Sequence, residues 1–101
     1  MIIEYIRYKL EQGDREPFMN AYSLASGSLD QSSYCLAYEL SECVEVPGLF
    51  ILRIEWTSTE EHMQEFRKSE EFRKFFNYVK PYFSNIEEMR HDEMTTVSKR
   101  K

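Results

Sequence analysis

Cysteine, glycine, proline and histidine are all scarce in this 101-residue chain, which has two Cys, three Gly, three Pro and two His. Three scattered glycines cannot form a phosphate-cradling loop, so no site for a nucleotide cofactor is expected. Cys35 and Cys43 lie on or just beyond one predicted strand, where eight residues at about 3.3 Å each hold them roughly 26 Å apart. They cannot pair there, and no disulfide scaffold is expected. His62 and His91 stand far apart in sequence without a Cys or His at ligand spacing, so no metal site is expected. Apolar runs are short as well. None approaches the roughly 18 residues of a membrane span, and Met1 to Ile6 lacks the basic region and cleavage site of a signal peptide, which makes a cytoplasmic location the expectation. Basic residues are outnumbered, with 13 Lys and Arg against 18 Asp and Glu. A net charge of −5 has the wrong sign for generic attraction to nucleic acid or anionic lipid.

Aromatic residues are abundant instead: seven Phe, seven Tyr and one Trp, 15% of the chain. Large rings of this kind suit cores, ligand pockets and subunit interfaces alike. The length allows one hydrophobic core and so one domain, read here as residues 1–94. Residues 95–101 are polar and then basic (Lys99, Arg100, Lys101) and read as a frayed tail.

Ile2 to Leu10 is rich in β-branched and aromatic residues and ends at Gln12-Gly13-Asp14, the pattern of a strand followed by a turn. From about Arg15 the period becomes helical, with Phe18, Ala21, Tyr22, Ala25 and Leu29 on one stripe. Asp14 is the expected cap and Gly27-Ser28 the expected end. Ser33 to Cys43 alternates, with Tyr34, Leu36, Tyr38 and Leu40 directed one way. Pro47-Gly48 supplies a turn, and Leu49 to Trp56 forms a third strand whose Phe50, Leu52, Ile54 and Trp56 share a face. So short a link implies an antiparallel hairpin.

Two overlapping capping boxes, Thr57 with Glu60 and Ser58 with Glu61, open a further helix. Its apolar stripe, Met63 and Phe66, is narrow, and Ser69-Glu70-Glu71 repeats the start signal. The spacing therefore predicts two short helices, or one kinked near Lys68. Phe72, Phe75, Phe76 and Val79 stripe the second part, and Pro81 stops it. Ile86 to Met94 reads as a fourth strand, more charged than apolar, suited to a sheet edge.

The order β-α-β-β-α-β corresponds to an α+β fold of the ferredoxin-like kind: a four-stranded antiparallel sheet with helices on one face. The other face then needs a cover, and a second copy is the simplest one.

Few residues are placed to do chemistry. Glu60-Glu61 and Glu70-Glu71 stand in first turns, where negative charge opposes the helix dipole. Trp56, His62, Arg7 and the strand tyrosines remain. For each the plain structural reading stands beside the functional one: Trp56 as core, His62 as a surface residue, Tyr34 and Tyr38 as sheet packing, Arg7 as a cross-strand ion-pair member.

Tyr34 to Leu40, Pro47 to Trp56, then Ser58, Ser69, Phe72, Phe75-Phe76 and Val79-Lys80-Pro81 together resemble the antibiotic biosynthesis monooxygenase domain over about residues 1–94. The resemblance implies a dimeric α/β barrel: a homodimer packed sheet to sheet, with a pocket between sheet and helices in each subunit. It also implies a monooxygenase that needs no metal or flavin cofactor and acts on a small aromatic or quinol-like compound with dioxygen. Trp56, matching the family's tryptophan at the end of the third strand, is then both core and pocket wall. Tyr34, Phe72 and Phe76 would line the substrate cavity, while Tyr38, Arg7 or His62 would handle charge and protons. Ile2 to Leu10 contains no asparagine such as the haem-degrading branch uses, which disfavours haem degradation. The alternative is a non-catalytic dimeric module of the same family that binds a small apolar ligand or a partner protein.

Overall fold

The computed structural model describes residues 1–101, with side chains for all but residues 61–63. Its elements follow the expected order: β1 (Ile2–Lys9), α1 (Arg15–Gln31), β2 (Cys35–Glu42), β3 (Leu49–Trp56), α2 (Thr59–Gln64), α3 (Glu70–Val79) and β4 (Ile86–Glu93). The strands form one antiparallel sheet in the order β2-β3-β1-β4, which is the ferredoxin-like topology.

One face of the sheet holds the core. Ile6 and Tyr8 of β1 stand opposite Leu52 and Phe50 of β3, and these pack with Phe18, Tyr22, Ala25 and Leu29 of α1 and Phe75 and Val79 of α3. Both helices therefore cover the same face, as their apolar stripes require. The register puts Ile3, Tyr5, Arg7 and Lys9 on the opposite face with Leu49, Ile51, Arg53 and Glu55. No helix covers that side. Its charges are held within the sheet plane, with Arg53 bonded to Glu55 at 2.8 Å and to Glu39 at 3.4 Å.

The break between the second and third helices has a local cause. Phe66–Lys68 forms a 3₁₀ turn between them, and Ser69 then caps α3 by accepting a hydrogen bond from the Phe72 amide at 3.1 Å. A cap of this type stabilises a helix by about 1 kcal/mol. Of the two boxes at the start of α2, the one ending at Glu61 falls on a side chain outside the described residues.

Three expectations need correction. The first helix does not end at Gly27-Ser28 but continues to Gln31, because its last turns bury Ser28 and Leu29 against the sheet. That burial outweighs the roughly 1 kcal/mol a mid-helix glycine costs. Asp14 stands at the N-cap position but its side chain makes no capping bond, since the residue closes a 3₁₀ turn, Gln12–Asp14. In β2 the alternation fails at its start. Cys35 pairs with Trp56 and Ala37 with Glu55, so Leu36 is the extra residue of a bulge and is 53% exposed, while Tyr38 and Leu40 face the core cluster.

Gly48 fixes the β2–β3 turn to the end of β1. Its φ is 90°, and an added Cβ would meet the Leu10 carbonyl oxygen at 2.5 Å. The Leu10 amide donates to the Gly48 carbonyl at 2.9 Å. The Gly48 amide donates to Glu42 at 3.0 Å, and Glu42 also receives a two-pronged bond from Arg15 at 2.7–3.0 Å.

Candidate functional site

A cavity of about 400 Å³ opens between the sheet and the helices, within the usual range of ligand-sized pockets, about 300–1,000 Å³. Its sealed end is built from the sheet and α1: Trp56, Ile54, Tyr8 and Leu29, all at 2% exposure or less. Phe66, Phe72, Phe75 and Phe76 form the helical wall. The open side is marked by Met89, 46% exposed, Phe83, 38% exposed, and Arg67. The lining is thus mostly aromatic, with Phe66 tilted against Trp56 at 5.0 Å between ring centres and against Phe72 at 5.5 Å.

Glu4 is the exception in this apolar surrounding. It follows the inward parity of Ile6 and Tyr8 along β1 and is 4% exposed. The Trp56 indole N–H donates to Glu4 Oε1 at 2.9 Å, and His91 Nε2 lies 3.5 Å from Glu4 Oε2. The second contact arises because β4 pairs His91 directly with Glu4, on the same face as Met89. Burial pushes the Glu4 carboxyl above its ordinary value, while His91, the Trp56 hydrogen bond and Arg67 each pull in the opposite direction. A carboxyl raised toward neutrality by its surroundings is suited to exchange protons with a bound molecule.

At the sealed end Tyr8 and Tyr22 share a hydroxyl hydrogen bond. Burial raises the Tyr8 phenol to about 12 and pushes Tyr22 well above its ordinary value. Both remain protonated at neutral pH, and since one hydroxyl hydrogen is used in their mutual bond, one is left to donate elsewhere. Among the described residues no group of three or more His, Cys, Asp or Glu gathers in a manner that could hold a metal ion.

Trp56, Phe72 and Phe76, expected from the sequence, meet in this cavity. Tyr34 packs half-buried against the core cluster instead. The Tyr38 hydroxyl points away to donate to Asp30 at 2.8 Å. Arg7 is exposed on the uncovered face, with the sheet between it and the cavity. The side chain of His62 lies outside the described residues. Glu4, His91 and Arg67 were not singled out from the sequence. For Glu4 and His91 the available signal was strand parity, since each sits two residues from an inward apolar neighbour, Ile6 and Met89.

A sequence profile of the antibiotic biosynthesis monooxygenase family matches residues 1–78. The chain belongs to the antibiotic biosynthesis monooxygenase family. Within the family's fold it is similar to a solved structure from Bordetella bronchiseptica named for the same family, with 21% identity, a TM-score of 0.74, and coverage of 93% of this chain and 96% of that one. A second solved relative, Rv0793 from Mycobacterium tuberculosis, gives 14% identity and a TM-score of 0.71 over 99% and 98% of the two chains. The uncharacterized protein YczJ of Bacillus subtilis is 22% identical over 91 residues, 90% of this chain and 96% of its own length. The two structural matches extend the agreement to the fold, a single antiparallel sheet with its helices on one side. As for location, no helix among the described residues is long and apolar enough to cross a membrane.

Proposed function

We propose that the protein is a cofactor-independent monooxygenase that oxidises a small aromatic or quinol-like compound with dioxygen. The observation that carries the reading is the Glu4 carboxylate, buried against an aromatic cavity and held by Trp56 and His91. An anthrone-type substrate illustrates the chemistry. Its ring-flanked methylene loses a proton to Glu4, and the resulting electron-rich anion transfers an electron to dioxygen. Recombination forms a carbon–oxygen bond, and collapse of the peroxide leaves a ketone and one water. Both substrate hydrogens leave in that water, one oxygen atom enters the product, and all four electrons that reduce dioxygen come from the substrate carbon. The protein needs only a dry cavity, a proton acceptor and a donor for the developing oxyanion. Phe72 and Phe76 supply walls, Trp56 orients Glu4, and the Tyr8–Tyr22 pair retains one hydroxyl donor near the sealed end.

A homodimer accompanies this reading, formed through the uncovered sheet face with its Ile3, Tyr5, Leu49 and Ile51. Light scattering at micromolar concentration tests it, and a monomer would exclude it.

The activity is tested with metal-free protein in an oxygen-electrode cell against a panel of anthrones and hydroquinones. The expected result is oxygen uptake in equal amounts with a product that carries one added oxygen atom, without release of hydrogen peroxide and unchanged by a chelator. Binding of panel members without oxygen uptake would instead make the protein a non-catalytic ligand-binding module of the family.

A further inference from the structure

Arg67, Phe72 and Phe76 line the cavity from within and also line a shallow groove on the outer surface, so these three side chains border both spaces. The groove adds Lys68, Arg73 and Glu70. Glu70 is already paired with Arg73 at 2.6 Å. Among the described residues neither Arg67 nor Lys68 has an ion-pair partner. A protein of net charge −5 therefore presents a positive rim beside this aromatic cavity.

Deeper in the cavity the preference reverses. A ligand anion there would face the Glu4 carboxylate, 4% exposed, and lose its water among Trp56, Ile54 and Leu29 without compensation. At the rim the same anion keeps part of its hydration and meets Arg67, whose planar guanidinium suits a carboxylate. Charge thus orients a two-ended molecule in one direction only.

We propose that the cavity's ligand is an aromatic carboxylate, seated with its acid group on the Arg67–Lys68 rim and its hydroxylated ring end toward Glu4. The proposal rests on this cavity being the ligand site of the reading above, and it narrows the substrate class to hydroxyaryl acids.

Isothermal titration with 6-hydroxy-2-naphthoate, whose hydroxyl and carboxylate lie at opposite ends of a naphthalene, and with its methyl ester tests this. At low salt the acid should bind about fivefold more tightly than the ester, and the difference should shrink as salt is added. Arg67→Gln, at an exposed position, should weaken binding of the acid more than binding of the ester and so diminish the preference. Equal affinities for acid and ester, no binding of either, or an undiminished preference in Arg67→Gln would each overturn the proposal. The measurement involves no oxygen chemistry. Acid preference without turnover would remove only the monooxygenase reading, and turnover of neutral hydroquinones without acid preference would remove only this one.

Discussion

The indole of Trp56 and the carboxylate of Glu4 are joined by a 2.9 Å hydrogen bond between neighbouring strands, 52 residues apart in the chain. The bond gives the sole tryptophan two roles at once. Its ring seals the core at 0% exposure, and its N–H holds an acidic group at the edge of a cavity that is otherwise apolar.

Glu4→Gln keeps an acceptor for the indole but removes the base. Oxygen uptake should fall by about 10²–10⁴-fold with the fold intact by circular dichroism. Retention of full turnover would mean that another group takes the proton.

The same substitution has a signature in stability against pH. An unfolded glutamate titrates near 4.5, and burial raises the folded Glu4 above that, against the opposing pull of His91, Trp56 and Arg67. Below pH 4.5 both states carry the proton. As pH climbs toward the raised folded value, the unfolded chain loses its proton first and wild-type stability declines. Urea titrations should therefore show the stability of Glu4→Gln relative to wild type growing from about pH 4.5 upward and levelling once folded Glu4 is ionised. A pH-independent difference would contradict the assigned burial.

Trp56→Phe deletes the donor together with part of a fully buried side chain. A loss of about 1–3 kcal/mol in chemical denaturation is expected, accompanied by a further upward shift of the Glu4 carboxyl in an NMR titration, since one of its stabilising contacts is gone. A stability unchanged within error would show that the indole is not part of the core.

Gly48→Ala tests the tie between the hairpin turn and β1. With φ at 90° and the Leu10 carbonyl 2.5 Å from the new Cβ, backbone must move. A destabilisation of about 2 kcal/mol or more follows, read as a lower urea midpoint with an unchanged slope.

Arg7→Ala should leave oxygen uptake unchanged in protein that remains dimeric by light scattering, because Arg7 lies on the face turned away from the cavity. A substantial drop in turnover would require this side chain to act across the sheet.

Much of the architecture was legible because burial imposes period. Phe50, Leu52, Ile54 and Trp56 announce a strand with one dry side, and Phe72, Phe75, Phe76 and Val79 a helix with one dry stripe, so the fold and part of the cavity wall follow. What resisted reading depends on tertiary pairing. The bulge that expels Leu36 leaves no mark on local alternation. Gly27 looks like a stop signal until Leu29 is seen to be buried beyond it. Glu4 lies inside an apolar strand, and a glutamate there reads as solvent-facing until β4 brings His91 opposite it. Arg7 takes the face away from the cavity, and Tyr38, on the cavity's side of the sheet, turns its hydroxyl to Asp30, because side-chain type alone carries no information about either placement.

The family profile covers residues 1–78, yet Phe83 and Met89, with His91 opposite Glu4, come from the segment that follows. The doorway is therefore hung on a separate stretch of chain from the frame. A change confined to that last stretch would alter what the opening admits while the tryptophan and the helices that brace it stay where they are.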